Sequence, residues 1–217
     1  MKVINLTESS SILGNYIAEI RDKAIQKDRR RFRQNLERVG YIFGYEISKL
    51  LAYSEKDVIT PLGTARVPTC DSQVVVSSIL RAGLPLHKGL LDVFDEAESA
   101  FVAAYRKYHK GDEFDIKVEF ATHPKLDGKV LILADAMLAT GQSMEITLNR
   151  LYEDGTPSYT HLVCPIASVY AVEYLQKHLQ TDEITLWTAG IDEELTAHSY
   201  IVPGLGDAGD LAFGEKP

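Results

Sequence analysis

Beyond Pro61, short apolar runs alternate with amphipathic stretches, and that alternation leaves the chain few architectures. Val74–Leu80, Ala100–Tyr105, Val130–Ala134, Leu162–Ala167 and Ile184–Thr188 read as buried strands. Between them, Pro85–Phe94, Gln142–Tyr152 and Tyr170–Leu179 read as helices. Strands that return through helices pair in parallel, so the expected fold is an α/β sheet flanked by helices. Such sheets bind ligands at the C-terminal ends of their strands, and those ends carry the chemistry below.

Ahead of Pro61 the texture is helical. Between Gln26 and Tyr53, Phe32, Leu36, Val39, Phe43, Ile47 and Leu50 recur at steps of three and four, drawing one apolar stripe along a long helix. A weaker helical pattern covers about Ser9 to Asp22. Arg29, Arg30, Arg31 and Arg33 suit a solvated helix face better than a polyanion site. The reason is that 31 Asp+Glu outnumber 23 Lys+Arg and leave a net charge of −8. That balance also argues against a general nucleic-acid partner, whose grip comes from cations on phosphates.

No stretch reaches the roughly 18 apolar residues that span a bilayer. Met1–Ser11 lacks the charged start and apolar core of a signal peptide, so a cytoplasmic protein with no membrane partner is expected. Cys70 and Cys164 form no CxxC pair and read as two reduced, packed thiols. The polar segment Lys107–Pro124, with its alternating piece Phe114–Phe120, reads as a hairpin beside the site.

The strongest chemical signal runs from Val130 to Ser143. An aliphatic strand ends in Asp135, and small residues and hydroxyls then open the next helix. A helix N-terminus offers unpaired N–H groups and a partial positive charge, which suits a phosphate monoester. Gly141 lets the backbone approach an anion, and Thr140 and Ser143 can donate from their hydroxyls. Asp135 stands beside that position, placed for sugar hydroxyls. An ordinary capped helix after a strand is the competing explanation. Arg81, with Ala82 and Gly83, closes one strand and Arg106 closes the next. Two guanidiniums on one edge can hold a pyrophosphate; singly, each could bridge a surface carboxylate.

Other phosphate motifs fail. Gly83 and Gly89 stand six apart, but no Lys-Ser or Lys-Thr pair follows to complete a Walker loop. Gly204, Gly206 and Gly209 spell GxGxxG, yet no room remains for the helix and second strand of a dinucleotide unit. The tail from Tyr200 to Asp210 is too glycine-rich for a helix or strand and reads as a shaped loop that presents backbone groups. None of the six histidines has ligand spacing, so no protein-held metal is expected.

Taken together, these residues resemble the uracil phosphoribosyltransferases, type I phosphoribosyltransferases of pyrimidine salvage. The resemblance spans about Val74 to Gly214, with a weaker echo in the N-terminal helices. Asp135–Ser143 resembles the family's phosphoribosyl pyrophosphate (PRPP) loop, Ile79–Gly83 its pyrophosphate loop and Tyr200–Asp210 its uracil loop. The PRPP loop alone would indicate only the superfamily; the tail is the part specific to uracil enzymes. The resemblance implies a single domain over residues 1–217, with a small hood formed by the N- and C-terminal segments.

It also implies transfer of a phosphoribosyl group from PRPP to N1 of uracil, giving UMP and pyrophosphate. Arg81 and Arg106 would hold the pyrophosphate, with Ala82 and Gly83 beside them. Asp135 would meet the ribose hydroxyls, and Ala136, Met137, Leu138, Ala139, Thr140, Gly141, Gln142 and Ser143 would complete the PRPP loop. Backbone groups at Ile201, Gly206 and Ala208 would read the base, and Asp207 would contact PRPP. Magnesium would arrive on PRPP, as suits a hard ion that prefers phosphate oxygens. A rigid backbone loop of this kind rejects cytosine on the order of 10⁴-fold, because the wrong base leaves buried polar groups unpaired. A homodimer or larger homo-oligomer is implied as well, with Phe32 and Tyr41 on the long helix offering a surface.

The chain departs from the family's pattern at Ala136, usually proline, Gln142, usually glycine, and Leu211, commonly arginine. Gln142 is expected to point away from the phosphate cradle. A catalytically weakened or regulatory uridine-nucleotide-binding paralogue remains the alternative.

Overall fold

The computed structural model of the chain describes residues 1–108 and 114–216, the side chains of 104–117 excepted. Its first half contains β1 (Lys2–Asn5), α1 (Leu13–Arg21), α2 (Arg29–Ser48), β2 (Tyr53–Thr60), β3 (Gly63–Cys70), β4 (Val74–Leu80), α3 (Leu84–Leu91) and β5 (Glu98–Tyr108). The second half adds β6 (Phe114–Thr122), β7 (Val130–Ala134), β8 (Met137–Leu138), α4 (Gln142–Tyr152), β9 (Tyr159–Cys164) and β10 (Ile166–Ser168). It closes with α5 (Val169–His178), β11 (Ile184–Thr188), β12 (Ile191–Asp192), β13 (Glu194–Leu195), β14 (Ile201–Val202) and α6 (Ala208–Phe213).

A seven-stranded sheet runs in the order β1-β11-β9-β7-β4-β5-β6. All its neighbours are parallel except β5 and β6. The period-two alternation of side chains divides the core between the two faces. Val74, Val76 and Ile132 pack with Phe32, Leu36, Phe43 and Leu86 from α2 and α3. Val75, Leu131 and Leu133 pack with Met144, Leu148 and Leu175 from α4 and α5.

The three strands β7, β9 and β11 stop at Asp135, Pro165 and Ala189–Gly190, then resume as β8, β10 and β12 in a second parallel sheet. Pro165 has no N–H to continue a ladder. Asp135 N–H donates to the Val163 carbonyl and Ala189 N–H to the Pro165 carbonyl, both at 3.0 Å, which holds the step together.

The expected strands at Val74–Leu80, Val130–Ala134 and Ile184–Thr188 and the helix Gln142–Tyr152 fall where their patterns place them. Elsewhere the structure corrects the reading. The long helix begins at Arg29, because the Asp28 carboxylate caps it by accepting from the N–H groups of Arg30 and Arg31 at 3.0 and 3.1 Å. It ends at Ser48, so Leu50 lies outside it and is exposed. Phe32 is buried in the chain's own core and offers no outer surface, whereas Tyr41 is exposed.

Tyr53 opens a two-stranded hairpin, β2–β3, that has no apolar face to signal it. The run through Ala167 breaks at Pro165. The tail holds a short strand, paired β13 to β14, and the helix α6. The Asp207 carboxylate caps that helix through Asp210 N–H at 3.0 Å, and Gly214, at φ 94°, ends it. Cys164 is buried, but Cys70, on the hairpin, is exposed rather than packed. The alternating piece Phe114–Phe120 does form a hairpin arm, β6, antiparallel to β5.

Candidate active site

A cavity of about 940 Å³ lies where β4 and β7 end. Three segments supply most of its wall: Leu80–Ala82 at the end of β4, Asp135 with Met137–Gly141 and Ser143 around β8 and the start of α4, and Gly206–Gly209 from the tail. Each comes from a strand end or its following turn, where backbone groups leave their ladders and become free to meet a ligand.

The start of α4 is built to present N–H groups. No side chain caps it, and Gly141 precedes it in the left-handed conformation, φ 83°. A Cβ at Gly141 would stand 2.9 Å from Tyr174 Cδ1, so only glycine holds this turn against α5. The loop before it is anchored from behind: Ser168 Oγ donates to the Ala139 carbonyl at 2.6 Å and itself accepts from Ala171 N–H. Thr140, Gly141 and Ser143 all face the cavity.

Asp135 sits half-buried at the step between β7 and β8, and its Oδ1 accepts from Ala136 N–H at 2.7 Å. Burial pushes its carboxyl up to about 7, against the backbone N–H groups of Ala136 and Met137 that favour the anion. Arg81 supplies a guanidinium to the wall. Its Nη2 donates to Asp210 Oδ1 and to the Gly214 carbonyl, each at 3.2 Å. It is therefore both an ion-pair partner and a cavity residue. Lys216 lines the cavity too, with its Nζ 3.6 Å from Asp207 Oδ2.

Arg81, Ala82, Asp135, Met137, Leu138, Ala139, Thr140, Gly141, Ser143, Gly206, Asp207 and Ala208 are thus brought to one wall. Gly83, Ala136, Gln142 and Ile201 are not on it. Gly83 opens α3, Ala136 is fully buried behind Asp135, and Ile201 is buried in β14. Gln142 is the first residue of α4, and among the described residues Ser199 is the non-glycine residue with positive φ. Gln142 therefore carries no left-handed strain. Leu211 packs against the core. Arg106 stands on β5 in register with Ile116; its side chain lies outside the described part of the structure.

Ser199, Tyr200 and Lys216 line the cavity and were not singled out by sequence reasoning. Tyr200 opened the tail motif and could have been named, whereas nothing local marks Ser199 or Lys216. Among the described residues, no three His, Cys, Asp or Glu side chains gather as a metal cage. No helix there is long and apolar enough to cross a membrane.

A family profile described as uracil phosphoribosyltransferase matches residues 7–215. The chain is 50% identical over 216 residues to a uracil phosphoribosyltransferase of Porphyromonas gingivalis, covering all of both chains. It is 42% identical to one from Methanothermobacter thermautotrophicus, covering 84% of this chain and 83% of that one. Among solved structures, the AQ2163 protein of Aquifex aeolicus superposes with a TM-score of 0.87 at 27% identity, over 98% of each chain. A hypoxanthine phosphoribosyltransferase of Staphylococcus aureus shares the fold at a TM-score of 0.51 and 11% identity, over 75% of this chain and 76% of that one. With strand ends, phosphate-type turn and glycine-rich tail arranged as described, the chain belongs to the uracil phosphoribosyltransferase family.

Proposed function

We propose that the chain transfers the phosphoribosyl group of PRPP to N1 of uracil, giving UMP and pyrophosphate. One observation carries this reading: the uncapped start of α4, Asp135 and residues Gly206–Ala208 of the tail all line a single cavity. The cavity has room for a sugar phosphate and a pyrimidine side by side. During transfer the bond from C1′ to the pyrophosphate oxygen breaks and the bond from C1′ to N1 forms. Charge grows on the leaving pyrophosphate, and Arg81, joined by Arg106, is the cation set aside for it. The α4 N-terminus takes the 5′-phosphate, and Asp135 takes the ribose hydroxyls. No nucleophilic serine or cysteine is needed.

Asp135 and Asp207 are hard oxygen donors of the kind magnesium accepts, and they fit an ion carried in on PRPP. Bound there, it would screen the pyrophosphate charge. The chain works as a single domain in a homodimer or larger homo-oligomer. The exposed β2–β3 hairpin supports that reading, since Ile59 and Leu62 stand almost fully in solvent near its tip, where a partner could cover them. A cytoplasmic setting agrees with the exposed, unpaired thiol of Cys70.

The test is pyrophosphate release from PRPP with uracil, cytosine or hypoxanthine as acceptor. Turnover with uracil alone supports the proposal, and turnover with none of them, or with a purine, overturns it.

A further inference from the structure

Arg21, the last residue of α1, and Asp192, the last of β12, form a two-pronged ion pair: Nη1 to Oδ2 at 2.7 Å and Nη2 to Oδ1 at 2.9 Å. Neither residue lines the cavity. Both reach the same residue of the tail. Gly204 N–H donates to Asp192 Oδ2 at 2.9 Å, and the Gly204 carbonyl accepts from Arg21 Nη1 at 3.0 Å. Gly204 is left-handed, φ 54°, and a Cβ there would stand 2.2 Å from the Ile201 carbonyl oxygen, so the bend admits no other residue. The Asp192 side chain is 9% exposed and that of Arg21 23%, which keeps water from competing for the pair.

We propose that Arg21 and Asp192 are a positioning pair for base recognition: together they fix the backbone of Gly204, and through it the main chain at Gly206–Ala208 that reads the pyrimidine edge. This rests on the transferase reading above. A loop that recognises its ligand through backbone groups has no rotamers with which to correct an error, so its selectivity is only as good as its placement. A displacement of about 1 Å is enough to spoil such contacts. A bidentate guanidinium–carboxylate pair supplies that placement because its fork geometry fixes direction as well as distance. The phosphate side of the cavity is held from α4 and from Ser168; Ser168 lies in register with Asp192, but its bond to the Ala139 carbonyl uses its own hydroxyl and neither side chain of the pair. The pair therefore acts chiefly on uracil, and PRPP feels it only through Asp207, one of several residues on that ligand's side of the cavity.

The experiment compares the full-length wild type with Asp192→Asn and Arg21→Lys. Three quantities are read: KM for uracil, the preference for uracil over cytosine, and the PRPP dissociation constant measured by calorimetry without base. Both variants are expected to raise the uracil KM by about tenfold or more and to erode the preference, with PRPP binding weakened by no more than about threefold. A uracil KM that stays near the wild-type value overturns the inference, as does PRPP binding weakened to the same degree. Should Asp192→Asn fail to fold, Arg21→Lys decides alone, since lysine keeps the charge but cannot serve both carboxylate oxygens and the Gly204 carbonyl together. A wild type inactive with uracil overturns the transferase reading and this inference with it. An active wild type with unmoved variants overturns the inference only.

Discussion

Arg81 and Asp210 are bound guanidinium to carboxylate at 3.2 Å, which ties the turn after β4 to helix α6. Their side chains are 40% and 31% exposed, so the pair contributes only about 0.5 kcal/mol to stability. Its consequence is geometric: the guanidinium is held at the cavity wall. Arg81→Ala is expected to lower kcat/KM for PRPP on the order of 10²-fold with little change in melting temperature. Steady-state kinetics beside a thermal melt checks this; a melting point that collapses along with activity would make Arg81 a structural residue.

Gly141→Ala forces a side chain into a left-handed position and against Tyr174. The backbone cost alone is about 1–2 kcal/mol. The turn relieves it by moving, so the expected result is a higher PRPP KM with the uracil KM nearly unchanged, measured by varying each substrate at saturation of the other.

Asp135 couples function to stability. Its carboxyl titrates near 3.8 in the unfolded chain and at about 7 when buried, so between those values the folded state holds the extra proton. The stability this contributes is full below about pH 4 and is lost as pH rises towards 7. Asp135→Asn removes that loss and is expected to stabilise the protein at pH 7.5 by up to about 3 kcal/mol while abolishing activity. Denaturant melts of both proteins at pH 5 and pH 7.5 test it; the gap should be wider at pH 7.5.

His161 acts with the opposite sign. Its Nδ1 accepts from Trp187 Nε1–H at 3.0 Å inside the sheet, and burial pulls its titration down to about 4 from 6.5. Between those values the unfolded chain binds the extra proton, so this contribution is complete above about pH 6.5 and falls away towards pH 4. Its full size is about 3 kcal/mol. His161→Gln is expected to flatten that limb of the stability curve, as read from melts across pH 4.5–7.

The two thiols should separate cleanly. Cys70 is exposed; Cys164 is fully buried, and burial pushes its thiol well above the ordinary range. In the native protein a thiol-specific reagent is expected to modify Cys70 alone, with Cys164 reacting only after denaturation. Mass spectrometry of the labelled peptides distinguishes the two.

The elements legible in the residues are those whose burial is one-sided or complete along a single segment. Val130–Ala134 is apolar throughout because both sheet faces are covered, and α2 shows its stripe from Phe32 to Ile47 because one face meets the core. The turn from Asp135 to Ser143 was legible for a related reason: a strand end, an acid, a glycine and two hydroxyls are local chemistry. The β2–β3 hairpin was not, since both its faces meet solvent and no alternation is imposed. Helix α6 was hidden by Gly209 and by the glycines on either side of it, and it depends on the Asp207 cap and the packing of Ala212 in the core.

Contacts between distant segments were decided only in three dimensions. Arg81 meets Asp210, and Arg21 meets Asp192 and Gly204, across separations that carry no periodic signal. Local pattern records which way a side chain must face, because burial repeats with the pitch of the element. Which charge it finds there depends on how the sheet stacks its strand ends and folds the tail back upon them.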